Sequence, residues 1–178
     1  MDNEKKTGRP EKFVQFVIEL CQNDKGAAAA LRRADNPATE YQSWEYLAGF
    51  RIDLEYPFER IPYAAIAAAI ARAKIERDGS AGIGRAIAFC YEDQSKSEQA
   101  KARLRRLLAC DSVEEACRIL RPLFSLIDSK ASVTLDYSQL LRELISFGYD
   151  SKKNNVKTAW AADFYRNAVG PANEEVTA

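Results

Sequence analysis

Four cations, Lys101, Arg103, Arg105 and Arg106, fall within six residues, and no carboxylate interrupts them. Arginine dominates the run, and its planar guanidinium grips phosphate oxygens in pairs, so the chemistry on offer is the holding of a phosphodiester backbone. Further basic side chains recur at the edges of other predicted helices: Arg32, Arg33, Arg60, Arg85, Arg121 and Arg142, with Lys152, Lys153 and Lys157. Together they can form a track, which a chain of evenly spaced phosphates requires. Nothing in the pattern encodes base reading. The competing interpretation of any such charge run is a solvated helix face.

Other chemistries lack their residues. The chain has no histidine, which removes Ser-His and Cys-His pairs, the histidine general base and most zinc sites. Cys21, Cys90, Cys110 and Cys117 form no CxxC pair and fit reduced core thiols better than a disulfide framework. Gly82-Ile83-Gly84 begins like a dinucleotide fingerprint, but Ile87 occupies the third glycine position and no strand precedes it, so a helix-packing turn explains it better. The paired carboxylates Glu114 and Glu115, and Asp53 and Glu55, suit capping and solvated-surface roles more than a metal site. No catalytic residue, metal or cofactor is expected.

The 178 residues balance to zero formal charge, and this conceals an asymmetry: residues 1–93 carry 13 basic and 15 acidic side chains, residues 94–178 carry 13 and 11. An anionic partner is therefore met by patches and not by a global field. The apolar fraction of 47% supports a core in one domain or two small ones. The start of the chain is polar, and the longest apolar run, Tyr63 to Ala71, is too short to cross a bilayer. The expectation is a soluble cytoplasmic protein with no membrane partner.

The elements that position these groups all read as helices. Phe13, Phe16, Val17, Leu20 and Cys21 recur at helical spacing after Pro10, and Ala27 to Ala34 forms a second helix. Asn36 with Pro37 predicts the start of a third, with Tyr41, Trp44, Leu47 and Ala48 on its buried side. Gly49 to Pro62 reads as irregular, ended by Pro62, before an alanine-rich helix from Tyr63 and a short one from Gly82 to Cys90. Ser97 caps the basic helix, whose stripe of Leu104, Leu107 and Leu108 faces inward. Ser112 with Glu115, and Asp136 with Gln139, form capping boxes. Pro122 divides the segment after Ser112 into two short helices, Gly148 ends the next, and a basic loop of Ser151-Lys152-Lys153 precedes a last helix that buries Val156, Trp160 and Phe164. Trp44, Trp160, Phe13, Phe16, Phe124 and Phe164 read as core and not as base-stacking groups. The predicted fold is all-α, two small helical bundles packed in tandem over residues 1–93 and 94–170, with a boundary at Tyr91 to Lys96 and a disordered acidic tail at 171–178 after Gly170-Pro171.

The order of several segments resembles one family. These are Gly26 to Ala34 ending in Leu31-Arg32-Arg33-Ala34, then Gly82-Ile83-Gly84-Arg85-Ala86-Ile87-Ala88, then Ala102 to Asp111, then Leu135-Asp136-Tyr137 to Leu141, and finally Val156 to Tyr165. From about Val14 to Phe164 the chain is similar to the CasB family, the small subunit of the type I-E CRISPR Cascade surveillance complex. The resemblance implies a non-catalytic helical protein present as two copies, touching backbone subunits and the large subunit, with basic surfaces that hold nucleic acid. Arg32 or Arg33, Arg85, Arg103, Arg106 and Lys157 lie in the matching motifs, Arg85 with the alternative of pairing a buried carboxylate. Lys101 and Arg105 form the neighbouring row of the basic helix, and Arg51, Arg60, Arg121, Arg142, Lys152 and Lys153 are basic-patch candidates. The expected role is to stabilise an R-loop, with the displaced DNA strand as first ligand and the CRISPR RNA or its heteroduplex with target DNA as second. A helical adaptor that only bridges protein subunits is the alternative, and a metal-dependent nuclease is a third reading that these residues disfavour.

Overall fold

The structure, a computed structural model, describes residues 7–166. They form nine α-helices: α1 Arg9–Asn23, α2 Lys25–Leu31, α3 Trp44–Gly49, α4 Pro57–Ala73, α5 Ile83–Ala88, α6 Glu98–Leu108, α7 Val113–Lys130, α8 Tyr137–Phe147 and α9 Asp150–Arg166, with short 3₁₀ turns at Glu40–Ser43 and Gln94–Lys96. Among the described residues the sole extended pairing is an isolated parallel bridge between Ala81 and Leu135. The fold is all-α, as expected.

Helix α4 is the axis of the molecule. Its residues Pro62 to Ala71 are all buried, which is the signature of a helix surrounded by others. Alanines on several sides let α1, α7 and α8 approach it, and α9 packs on α5. One apolar core runs from Phe13 on α1 to Phe164 on α9. Residues 94–96, within the stretch expected to hold a boundary, form a 3₁₀ turn, and one apolar core includes residues on both sides of it.

Two prolines depart from expectation. Pro62 does not end an irregular segment but lies inside α4, and Pro122 lies inside an unbroken α7. An internal proline removes one helical hydrogen bond and costs about 3 kcal/mol. In α7 the face of Val113, Ala116, Cys117, Leu120, Leu123, Phe124 and Ile127 is buried while Pro122 is exposed, so the carbonyl that loses its donor can meet water. Burial of a full helical face outweighs the local preference.

Smaller corrections follow the same logic. Asn36 caps no helix: its side chain accepts the Ala38 amide in a turn, and α3 starts at Trp44. Leu47 is buried as expected, but Tyr41, Trp44 and Ala48 are exposed. Ser151, Lys152 and Lys153 are not a loop; they lie in the first turn of α9. The Gly170-Pro171 stop and the 171–178 tail lie outside the described residues.

The Gly82-Ile83-Gly84 segment is a packing device. A Cβ on Gly84 would overlap the Trp160 carbonyl oxygen and the Phe164 amide, and one on Gly82 would overlap the Asp163 carboxylate. The absent side chains let α5 lie directly on the α9 backbone.

Candidate nucleic-acid interface

The basic helix α6 is set up by Ser97, whose side chain accepts the Ala100 amide at 3.2 Å. Ala100, Leu104 and Leu107 bury its inner face. Its four cations, uniform in sequence, then separate. Lys101 pairs with Glu98 at 2.8 Å, and this hydrogen bond with the Lys101 charge holds the Glu98 carboxyl below its usual range. Arg103 Nε donates to the Tyr91 hydroxyl at 2.7 Å, which ties α6 to the segment before it. Arg105 is 65% exposed and reaches Glu98 only at 4.0 Å. Arg106 is exposed and, among the described residues, has no ion-pair partner. Arg105 and Arg106 are thus the groups whose donors face solvent.

A second set surrounds a cleft of about 400 Å³ between α4 and α7, where Arg60, Arg118 and Arg121 face Asp35, Glu40 and Glu114. Most of this charge is answered internally. Arg72 clamps Asp35 with two hydrogen bonds of 3.0 and 2.7 Å, and Arg121 lies 3.6 Å from the same carboxylate. Arg60 donates to the Leu54 carbonyl and lies 3.7 Å from Glu40. Nearby, Arg32 Nε donates to the Ala71 carbonyl and Arg33 to the Gln42 side chain. Arg72 and Arg118 were not singled out from sequence. Arg118 could have been found, since it lies three residues before Arg121 on one helix, whereas the Arg72 partnership depends on tertiary contact.

The remaining candidates lie around α5, α8 and α9. Arg142 pairs with Glu11. Lys152 Nζ lies 5.4 Å from the Tyr149 ring centre, and Lys153 and Lys157 lie 5.9 and 5.7 Å from that of Phe147. Lys153 also pairs with Asp150 at 3.0 Å, and Lys157 approaches Asp111 at 3.9 Å. Arg51 is exposed with a positive φ of 63°, and its carbonyl accepts from Arg9. The Arg85 guanidinium lies 5.2 Å from the Phe89 ring centre, and it is the Arg85 backbone amide that donates to Asp163.

The aromatic expectation divides. Phe13, Phe124, Trp160 and Phe164 are buried and Phe16 packs against the core, but Trp44 is 37% exposed. The four cysteines are free thiols. Burial raises Cys90 to about 11, which keeps it protonated and inert at neutral pH. Among the described residues no group of three or more cysteines or carboxylates could hold a metal ion, and no helix is long and apolar enough to cross a membrane.

A helical body with dispersed basic surfaces and this order of motifs has clear relatives. The sequence profile of the family described as CRISPR-associated protein Cse2 matches residues 27–165, and the chain belongs to that family, the CasB small subunit of type I-E Cascade. Its fold is similar to CasB of M. ruber, with 26% identity, coverage of 90% of this chain and 94% of that one, and a TM-score of 0.69. It is also similar to a Cse2-family protein of Thermus thermophilus, with 22% identity, 88% and 97% coverage and a TM-score of 0.71. A chain of a CRISPR RNA-guided surveillance complex gives 22% identity, 90% and 93% coverage and a TM-score of 0.72. No curated protein sequence matches. The chain is therefore a Cascade subunit.

Proposed function

We propose that this subunit is non-catalytic and holds nucleic acid through phosphate contacts, stabilising the R-loop while guide pairing reads the sequence. The displaced DNA strand is its first ligand and the guide or guide–target heteroduplex its second. It acts as two copies beside the backbone subunits and the large subunit. The observation that carries this reading is the solvent-facing pair Arg105 and Arg106 at the end of a helix whose other cations are engaged. Strand exchange in an R-loop is close to balanced, so a few phosphate contacts suffice to tip it. The other basic candidates, from Arg32 to Lys157, extend the surface to the degree that their carboxylate partners release them.

Binding of single-stranded DNA to the full chain should be insensitive to base sequence and weaken steeply with salt. Replacing Arg105 and Arg106 together with glutamine should lower the slope of log affinity against log salt by about 1.4, from roughly 0.7 per lost phosphate contact. An unchanged slope in the folded variant removes α6 from the interface.

The exposed side chains of Tyr41 and Trp44 favour a second reading, an adaptor that bridges protein subunits. That reading predicts failed assembly, not failed strand binding, when the α6 arginines are changed.

A further inference from the structure

We propose that the cavity between the start of α4 and the α8–α9 turn is a stacking site for one unpaired nucleotide. The inference rests on the nucleic-acid reading above and assigns it a second, aromatic element away from α6.

The cavity measures about 540 Å³, within the range of small-ligand sites. Three of its walls are the side chains of Tyr56, Phe58 and Tyr149, which are 47%, 51% and 54% exposed. Scattered exposed aromatics need no explanation, but three converging on one hollow keep a contiguous apolar surface in water. An apolar surface of this kind, rimmed by polar groups, marks a binding site. The Tyr56 and Phe58 rings are tilted at 54° with centres 5.6 Å apart, so they do not close face to face. Phe58 reaches across toward Gly148, linking the start of α4 to the α8–α9 turn.

Charge decides what covers it. Arg9 and Arg142 stand in the walls, 48% and 47% exposed; Arg9 pairs with Glu59, itself a wall residue, and donates to the Arg51 carbonyl, while Arg142 pairs with Glu11. A guanidinium has five donors, so these contacts still leave others for a ligand. Lys152 lies against the Tyr149 ring and, among the described residues, has no carboxylate partner. The hollow therefore offers flat π-faces with cationic donors beside them. A nucleotide combines a π-faced base with an adjacent phosphate, and base stacking on aromatic side chains tolerates any base. A purely apolar side chain from a protein would match the rings and leave the cations unused. The α4–α7 cleft makes the contrast: its walls mix acidic and basic side chains with alanines, Pro37 and Ile61, and present no aromatic ring.

The test uses the full chain with two probes, an oligothymidylate and an abasic sugar-phosphate strand of equal length. Wild-type protein should bind the thymidylate more tightly by roughly 5- to 150-fold, the range of one stacked base. Tyr149→Ala and Phe58→Ala should remove that difference while leaving abasic binding unchanged, and Tyr149→Trp should retain it. Equal affinity for both strands in wild type overturns the proposal. So does a Tyr149→Ala variant that binds both strands as wild type does but no longer assembles into Cascade, which assigns the cavity to a protein neighbour. The double glutamine variant of Arg105 and Arg106 separates the two readings: it should weaken both strands alike and keep the thymidylate preference. If it changes nothing while the aromatic variants act, the α6 interface falls and the cavity stands.

Discussion

Arg72 and Arg106 both occupy the last turn of a helix, where a cation complements the helix dipole, yet the fold uses them in opposite ways. Arg72 is turned onto Asp35, whose side chain is only 7% exposed, and joins α4 to the chain after α2 by two hydrogen bonds. Arg106 has its helix buried beneath it by Leu104 and Leu107 and its own guanidinium in solvent. The difference is the presence of a carboxylate within reach. Arginine content alone therefore does not define a binding surface here: Arg60, Arg72 and Arg103 hold the body together, and Arg105 and Arg106 are left over.

The sharpest break of this comparison is Arg72→Ala. It removes both hydrogen bonds to a buried carboxylate and leaves only Arg121 beside it at 3.6 Å, so unfolding free energy should fall by about 2 kcal/mol, the cost of a buried acceptor losing its donors. Measured in urea, Arg72→Ala combined with Asp35→Ala should lose less than the sum of the single changes. Arg106→Ala is the counterpart, and its unfolding free energy should stay within about 0.5 kcal/mol of wild type. A comparable loss in both variants would erase the distinction.

Glu143 sharpens the comparison from the acidic side. It is largely buried like Asp35, but its hydrogen-bond partners are neutral: Gln139 and Trp160 donate to it at 2.8 and 2.7 Å. Burial raises its pKa above the ordinary carboxylate range, outweighing those two hydrogen bonds. The folded state thus holds this proton more tightly than the unfolded chain. The stability it contributes is complete below the unfolded pKa and is lost as pH rises through the raised folded value. Melting temperature followed with pH should show that decline in wild type and a flatter profile in Glu143→Gln. Parallel profiles would mean that Glu143 is ionised without cost.

Much of the scaffold was legible in sequence because it is specified locally. Ser97, Ser112 and Asp136 each accept the amide predicted by the capping pattern. The Leu104 and Leu107 stripe and the Val156, Trp160 and Phe164 face are buried as their spacing requires. Even within the caps the second partner differs. Glu115 accepts the Asp111 amide instead of that of Ser112, and Gln139 donates to Glu143. Pro62 and Pro122 misled because proline acts locally, whereas the burial that overrides it comes from helices distant in sequence. The same applies to the basic residues. Nothing near Arg142 announces Glu11, nor anything near Arg103 the Tyr91 hydroxyl, so a charge run could not be divided into engaged and open members before the chain was folded.

The central claim is that the open arginines of α6 hold nucleic acid in the assembled complex. It is tested most directly by the lifetime of the R-loop on a target duplex bound by Cascade carrying Arg105→Gln and Arg106→Gln in this subunit. The account predicts normal subunit incorporation with a shortened R-loop lifetime. Failure of the subunit to assemble, or normal assembly with a lifetime equal to wild type, would contradict it.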